Sequence, residues 1–193
     1  MHENNSPLEH LELVYEMNRL FLSFLQGRAC RGVECLGLAT PVCALLRTAT
    51  DAQLDRAAGL PRALFRIDCD LDTRAARALE RDSSELIALY SLQSKLLLSA
   101  RHLCSQNAHL AQAFLGLPDR TLVRLSCLAL LELATLAETA CLVAASFEDE
   151  PWLWRELLCS ENPMDLRRAR LIALQPRAAD MNAVAEPGLR RLR

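Results

Sequence analysis

The chain has 193 residues, of which 51% are apolar and only 5% aromatic, with six glycines, eight prolines and a net charge of −2. Glycine and proline are too few for an all-β chain with frequent turns, and abundant Leu, Ala, Arg and Glu favour helices, so the fold class expected is all-α. The charge excludes a polyanion binder acting through the molecule as a whole. No apolar run spans a membrane, because the richest, Leu122 to Val143, is broken by Arg124, Glu132 and Glu138.

In chain order, a long helix is predicted from Pro7 to Gly27, where Leu11, Val14, Met17, Phe21, Leu22, Phe24 and Leu25 recur at helical spacing. A short segment then ends in Leu36-Gly37-Leu38, whose glycine can take the left-handed conformation that closes helices. Thr40-Pro41 reads as an N-cap with proline in the first turn, opening a helix through Arg47. Thr50-Asp51-Ala52-Gln53 is a capping-box pattern, and the helix it opens runs to Gly59-Leu60-Pro61. Asp68 to Ser84, charged and free of Gly and Pro, reads as a connecting helix or extended arm. A second long helix is expected from Ser84 to Cys104, and a more continuous apolar stretch from Asp119 to Val143. Glu150-Pro151-Trp152 and Asn162-Pro163-Met164 mark two further helix starts, and the end from Pro176 is expected to fray.

The chain also resembles itself. At an offset of 75 positions Tyr15 falls on Tyr90, Leu11 on Leu86, Val14 on Leu89, Met17 on Leu92 and Leu22 on Leu97. Four extra residues later the offset is 79, and Leu36-Gly37-Leu38 meets Leu115-Gly116-Leu117, with Leu46 on Leu125, Leu54 on Leu133 and Ala58 on Ala137. Such self-similarity reads as a duplicated unit. The organisation expected is a first module with its connecting arm over 1–83, a second module over 84–160, and an Arg-rich helix and tail over 161–193.

The motifs of the two copies resemble the FlhD family of flagellar transcriptional activator subunits. The first copy carries Tyr15-Glu16-Met17-Asn18, then Leu36-Gly37-Leu38, then Leu64-Phe65-Arg66-Ile67-Asp68. These are similar in order to that family's Tyr-Asp-x-Asn opening, Leu-Gly-Ile step and Phe-Arg-Phe-Asp ending. In the second copy Leu136-Ala137-Glu138-Thr139 with Leu142-Val143 resembles the family's Leu-Ala-Glu-Thr-x-x-Leu-Val stretch. The resemblance covers about residues 8 to 147, and no single motif is specific; order and repetition carry it. It implies a cytoplasmic regulator that works as a helical dimer with a zinc-containing FlhC-type partner, the complex binding and activating promoter DNA. Here the two copies would form that dimer within one chain, as an intramolecular pseudo-dimer, and self-association stays open. Departures are plain: Ala144 stands where the family often has a cysteine, which removes its cross-dimer disulfide, and the second copy keeps only Phe147-Glu148-Asp149 of the ending. Two other readings remain: a diverged protein-binding module acting as chaperone or antagonist, and a self-sufficient helix-turn-helix DNA binder.

Candidate contact residues follow from these readings. Gln53 to Pro61 has the cues of a helix-turn-helix, and the next helix would carry Arg62 and Arg66 toward DNA; the competing reading is a capped helix and packing turn. Arg167, Arg168 and Arg170 would form one charged face of a helix from Met164 to Leu174, with Leu171 and Leu174 on the other, for phosphate, an acidic partner or plain solvation. Seven arginines against four acids leave 161–193 at +3 and the remainder at −5. Trp152 and Trp154 point to different sides of their helix, one for the core and one to anchor a partner. Eight cysteines (Cys30, Cys35, Cys43, Cys69, Cys104, Cys127, Cys141, Cys159) include no C-x-x-C pair and read as buried free thiols of a reducing compartment. No metal, cofactor or catalytic constellation is expected, and no enzyme activity.

Overall fold

A computed structural model describes residues 7–67, 83–139 and 142–175. These residues are mostly helical, with α1 Pro7–Cys30, α2 Thr40–Thr48, α3 Asp51–Ala58, β1 Phe65–Ile67, α4 Ser83–Gln106, α5 Ala108–Leu115, α6 Asp119–Cys127, α7 Leu130–Thr139, β2 Val143–Ala145, α8 Pro151–Cys159 and α9 Pro163–Ala173. The connecting segment from Asp68 to Asp82 and the tail from Pro176 lie outside the described residues. No described helix is long and apolar enough to cross a membrane.

Local chemistry sets most boundaries. The Thr50 capping box forms in full: the Thr50 hydroxyl accepts the Gln53 N–H, and the Gln53 side chain accepts the Thr50 N–H. Asn162 caps α9 by accepting the Met164 N–H, ahead of Pro163 in the first turn. Thr40, by contrast, is inside α2, whose N-cap is Ala39 with no side-chain bond. Gly116 closes α5 in the left-handed conformation (φ 63°), whereas Gly37, well beyond the end of α1, closes no helix and takes φ 96° in a turn. The stretch from Asp119 to Val143 is not continuous. It breaks at Leu128 and Ala129, where the Ala129 N–H turns to the Glu132 carboxylate and opens α7.

The long helices α1 and α4 are each 24 residues and pack against each other. Each also gathers its own short helices, α2 and α3 on α1, and α5, α6 and α7 on α4. Phe21, Leu22 and Leu25 of α1 and Leu96, Leu97 and Leu103 of α4 are fully buried in one continuous core. Burying a Leu or Phe side chain contributes about 1.5–3 kcal/mol, and these rows hold the long helices in place. The two strands, which helical periodicity did not anticipate, pair antiparallel, with Phe65 opposite Ala145, Arg66 opposite Ala144 and Ile67 opposite Val143. The C-terminal α8 lies on α2 and α3, far back in the chain, and α9 packs on α8.

Candidate functional site

The α1–α4 contact is antiparallel and polar at both ends. Near the start of α1, the His10 imidazole Nε2 is 3.2 Å from Gln106 Oε1, at the end of α4. At the other end Arg28 and Arg31 both reach Glu85, Arg28 Nη1 at 2.9 Å and Arg31 Nε at 2.6 Å. At the offset of 75, His10 corresponds to Glu85 and Arg31 to Gln106, so the two end contacts join corresponding pairs of positions in reverse order. Arg28 is fully buried, its Nε donates to the Glu34 carbonyl at 2.6 Å, and its guanidinium lies 5.6 Å from the Phe24 ring. Glu85 is also buried, so this ion pair is removed from solvent and sensitive to loss of either member.

Two buried amides do corresponding work. Asn18 Nδ2 donates toward the carbonyls of Ala58, Leu60 and Arg62, and Oδ1 accepts the Leu64 N–H. At the matching position, Gln93 Nε2 donates to Ala137 O and Oε1 accepts the Leu142 N–H. Each amide thus ties its long helix to the segment that leads into a strand. Gln26 on the Ala49 carbonyl and Arg101 on the Leu128 carbonyl repeat the relation at the next helix junction. Asn18 stands out in the sequence only as the end of the Tyr15-to-Asn18 motif, and Gln26, Gln93 and Arg101 are hidden among Leu; their recurrence at one offset was the available signal.

Arg62 is not presented to DNA. It is buried, and its Nη1 donates to the carbonyls of Ala173 and Gln175, which satisfies the end of α9. Its guanidinium also fills the space beside Gly116, where a Cβ would lie 2.5 Å from Nη2. Residues 60–67 form no helix, so no helix-turn-helix forms over Gln53 to Ile67: the carbonyls of Ala58, Leu60 and Arg62 are taken by Asn18, and Pro61 offers no N–H. Arg66 lies on β1 and pairs with Glu148 at 2.7 Å. Arg56, unremarked in the sequence, donates to the Leu158 carbonyl at the end of α8.

On α9 Leu171 and Leu174 do not form the inner face; they lie in solvent with the arginines. Ala169 and Ala173 are buried against α8, where small side chains allow close approach, while Leu171 and Leu174 are exposed. Met164, Arg167, Arg168, Leu171 and Leu174 then follow one another at i, i+3, i+4, i+7 and i+10, a mixed basic and apolar stripe on the outside. Arg170 is exposed too and lies beside Gly59. Trp154 is wholly buried with its indole N–H on the Ser146 carbonyl, so it is no anchor; Trp152 is 38% exposed.

A second exposed apolar region belongs to α6 and α7: Val123, Leu130 and Leu131 are 64%, 60% and 79% exposed. The corner of α1 and α3 at the corresponding offset is ionic. There Arg19 bridges Asp51 at 2.7 Å and Asp55 at 2.6 Å, and Asp55 also accepts the Tyr15 hydroxyl. Desolvation together with Asp55 raises the Tyr15 pKa above its ordinary value. At the offset of 79, Asp51 and Asp55 become Leu130 and Ala134, and the ionic corner becomes an apolar one.

Not all cysteines are buried. Cys30, Cys127 and Cys159 are exposed, while Cys35 and Cys104 are buried. Burial pushes the Cys35 thiol up to about 12, helped by the adjacent Cys43, and the Cys104 thiol up to about 11. Among the described residues no group of three His, Cys, Asp or Glu side chains is placed to hold a metal ion. No protein-family model, curated protein or solved structure matches the chain.

Proposed function

We propose that this chain is a tandem FlhD-like regulatory subunit, two diverged copies of one helical module folded on each other as an intramolecular pseudo-dimer. It acts in the cytoplasm by holding a DNA-binding FlhC-type partner on flagellar or motility promoters. The observation that carries the reading is the reciprocity of the pairing. His10 meets Gln106 where Glu85 meets Arg31, and β1 meets β2 about Arg66 and Ala144. A two-fold dimer interface has this property, residue i on j and j on i, and fusion of two subunits would preserve it. A module of about 75 residues is marginal alone, and a covalent link raises the effective concentration of its mate.

The partner surface proposed is the α9 stripe, Arg167, Arg168 and Arg170 with Met164, Leu171 and Leu174, together with Trp152. Its chemistry suits an acidic amphipathic helix, and promoter DNA would be reached through the complex. The test is co-expression with an FlhC-type protein of the same genome, followed by sizing chromatography and promoter binding. Co-elution that is lost in an Arg167→Glu/Arg168→Glu variant supports the reading; separate elution of two folded proteins refutes the partnership. A diverged protein-binding module, chaperone or antagonist, is the second reading, favoured by the apolar Val123, Leu130 and Leu131. It predicts binding that those arginines do not affect and that Leu131→Asp abolishes.

A further inference from the structure

The reciprocal contacts between α1 and α4 are alike in position and unlike in chemistry. The first copy contributes His10, Arg28 and Arg31; the second contributes, at the corresponding positions, Glu85, Leu103 and Gln106. Two first copies paired in this geometry would set His10 against Arg31 and leave each buried Arg28 with the Glu34 carboxylate of its own copy at 4.0 Å but none across the interface. Two second copies would set Glu85 against Gln106 and leave each buried carboxylate without a cation. A buried charge stripped of its closest partner carries a large penalty, and specificity between similar partners is commonly built from that kind of repulsive term.

We propose that Arg28, Arg31 and Glu85 code this interface for unlike pairing, so that a first copy separated from its own second copy is complemented only by the second copy of another molecule of this chain. The inference rests on the pseudo-dimer reading above. Its consequence is that the protein holds itself as a one-chain particle and, when it associates through this surface, exchanges copies reciprocally. Like-with-like pairing, the natural mode of a single-copy dimer, is excluded by the same three side chains. Glu85 is the discriminating residue because it answers both arginines: its Oε2 takes Arg28 and its Oε1 takes Arg31.

The experiment uses full chains throughout. Glu85→Lys places a cation against both arginines, and Arg28→Glu/Arg31→Glu places two carboxylates against Glu85. Each variant alone is expected to lose the compact one-chain peak in sizing chromatography with light scattering. Co-expressed under different tags, they are expected to yield a two-chain particle containing one of each, and the triple variant in one chain is expected to recover the one-chain peak. An unchanged peak in Glu85→Lys, a two-chain particle formed by either variant with itself, no mixed particle on co-expression, or a triple variant no better than Glu85→Lys would each overturn the proposal. The pairing itself is tested separately by cross-linking His10→Cys/Gln106→Cys with a short bis-maleimide and mapping the product by mass. Failure there sinks the pseudo-dimer reading; success there with unchanged charge variants sinks only the code.

Discussion

Asn18 offers the sharpest energetic test. It is fully buried, its amide faces three carbonyls at 3.2, 3.2 and 3.0 Å, and its oxygen accepts the Leu64 N–H at 2.8 Å. An amide has two N–H donors, so the site amounts to about two donated bonds and one accepted one. Each such bond contributes roughly 1 kcal/mol net, and each buried group left unmet costs roughly 1–3 kcal/mol. Asn18→Ala is therefore expected to lose about 3–5 kcal/mol, a large share of the ~5–15 kcal/mol that holds a typical domain together. At ~2–4 °C per kcal/mol for a chain of this size, the melting point should fall by roughly 6–20 °C. The isosteric Asn18→Asp keeps the acceptor for Leu64 but turns an oxygen toward three carbonyls, and should be as damaging as alanine. Urea unfolding followed by helical circular dichroism, with the slope unchanged, reads both values. Asn18→Asp within ~0.5 kcal/mol of wild type, the range of an ordinary surface change, would refute the reasoning.

Gln93→Ala strips the Ala137 carbonyl and the Leu142 N–H of their buried partner, and its loss in the same assay should be about 2–4 kcal/mol. The glycines separate strain from contact: Gly32→Ala, with φ 69° and open space around it, should cost about 1 kcal/mol in urea unfolding. Gly116→Ala should cost clearly more, because its Cβ also strikes the Arg62 guanidinium. Thiol labelling at neutral pH should be rapid at Cys30, Cys127 and Cys159 and slow at Cys35 and Cys104 until the chain unfolds. The two buried thiols also predict a pH dependence. Their folded pKa values lie above the unfolded value of 9.0, so the stability they contribute is whole below about pH 9. It is lost as pH rises through about 11 and about 12, and replacing both with Ala should flatten that alkaline limb of a stability–pH curve.

What the sequence revealed was local. The Thr50 box, the Pro151 and Pro163 starts and the long helices are written in a few neighbouring residues, and all appear where expected. The break at Leu128 was hidden because Leu and Ala favour a helix on both sides of it. The strands were hidden because three residues are too few to show alternation, and their pairing is decided by residues 78 positions away, Phe65 with Ile67 on one side and Val143 with Ala145 on the other. The arginines show the limit most clearly. Arg62 and Arg167 look alike in sequence, yet Arg62 is buried on the end of α9 and Arg167 is open to solvent. Which arginine is spent on carbonyls depends on where α9 docks, and no local pattern near Arg62 encodes that.

The placement of α8 has a consequence for stoichiometry. A symmetric dimer presents every surface twice, and whatever binds one face can bind again on the opposite side. Here α8 lies on α2 and α3, while α6 and α7, their counterparts at the offset of 79, pack on α4. On the proposed pseudo-dimer reading, one of two related faces is taken by the chain's own helix. A ligand that recognises the other face would saturate at one per chain, and titration would read a ratio of one where the unfused arrangement would read two per pair.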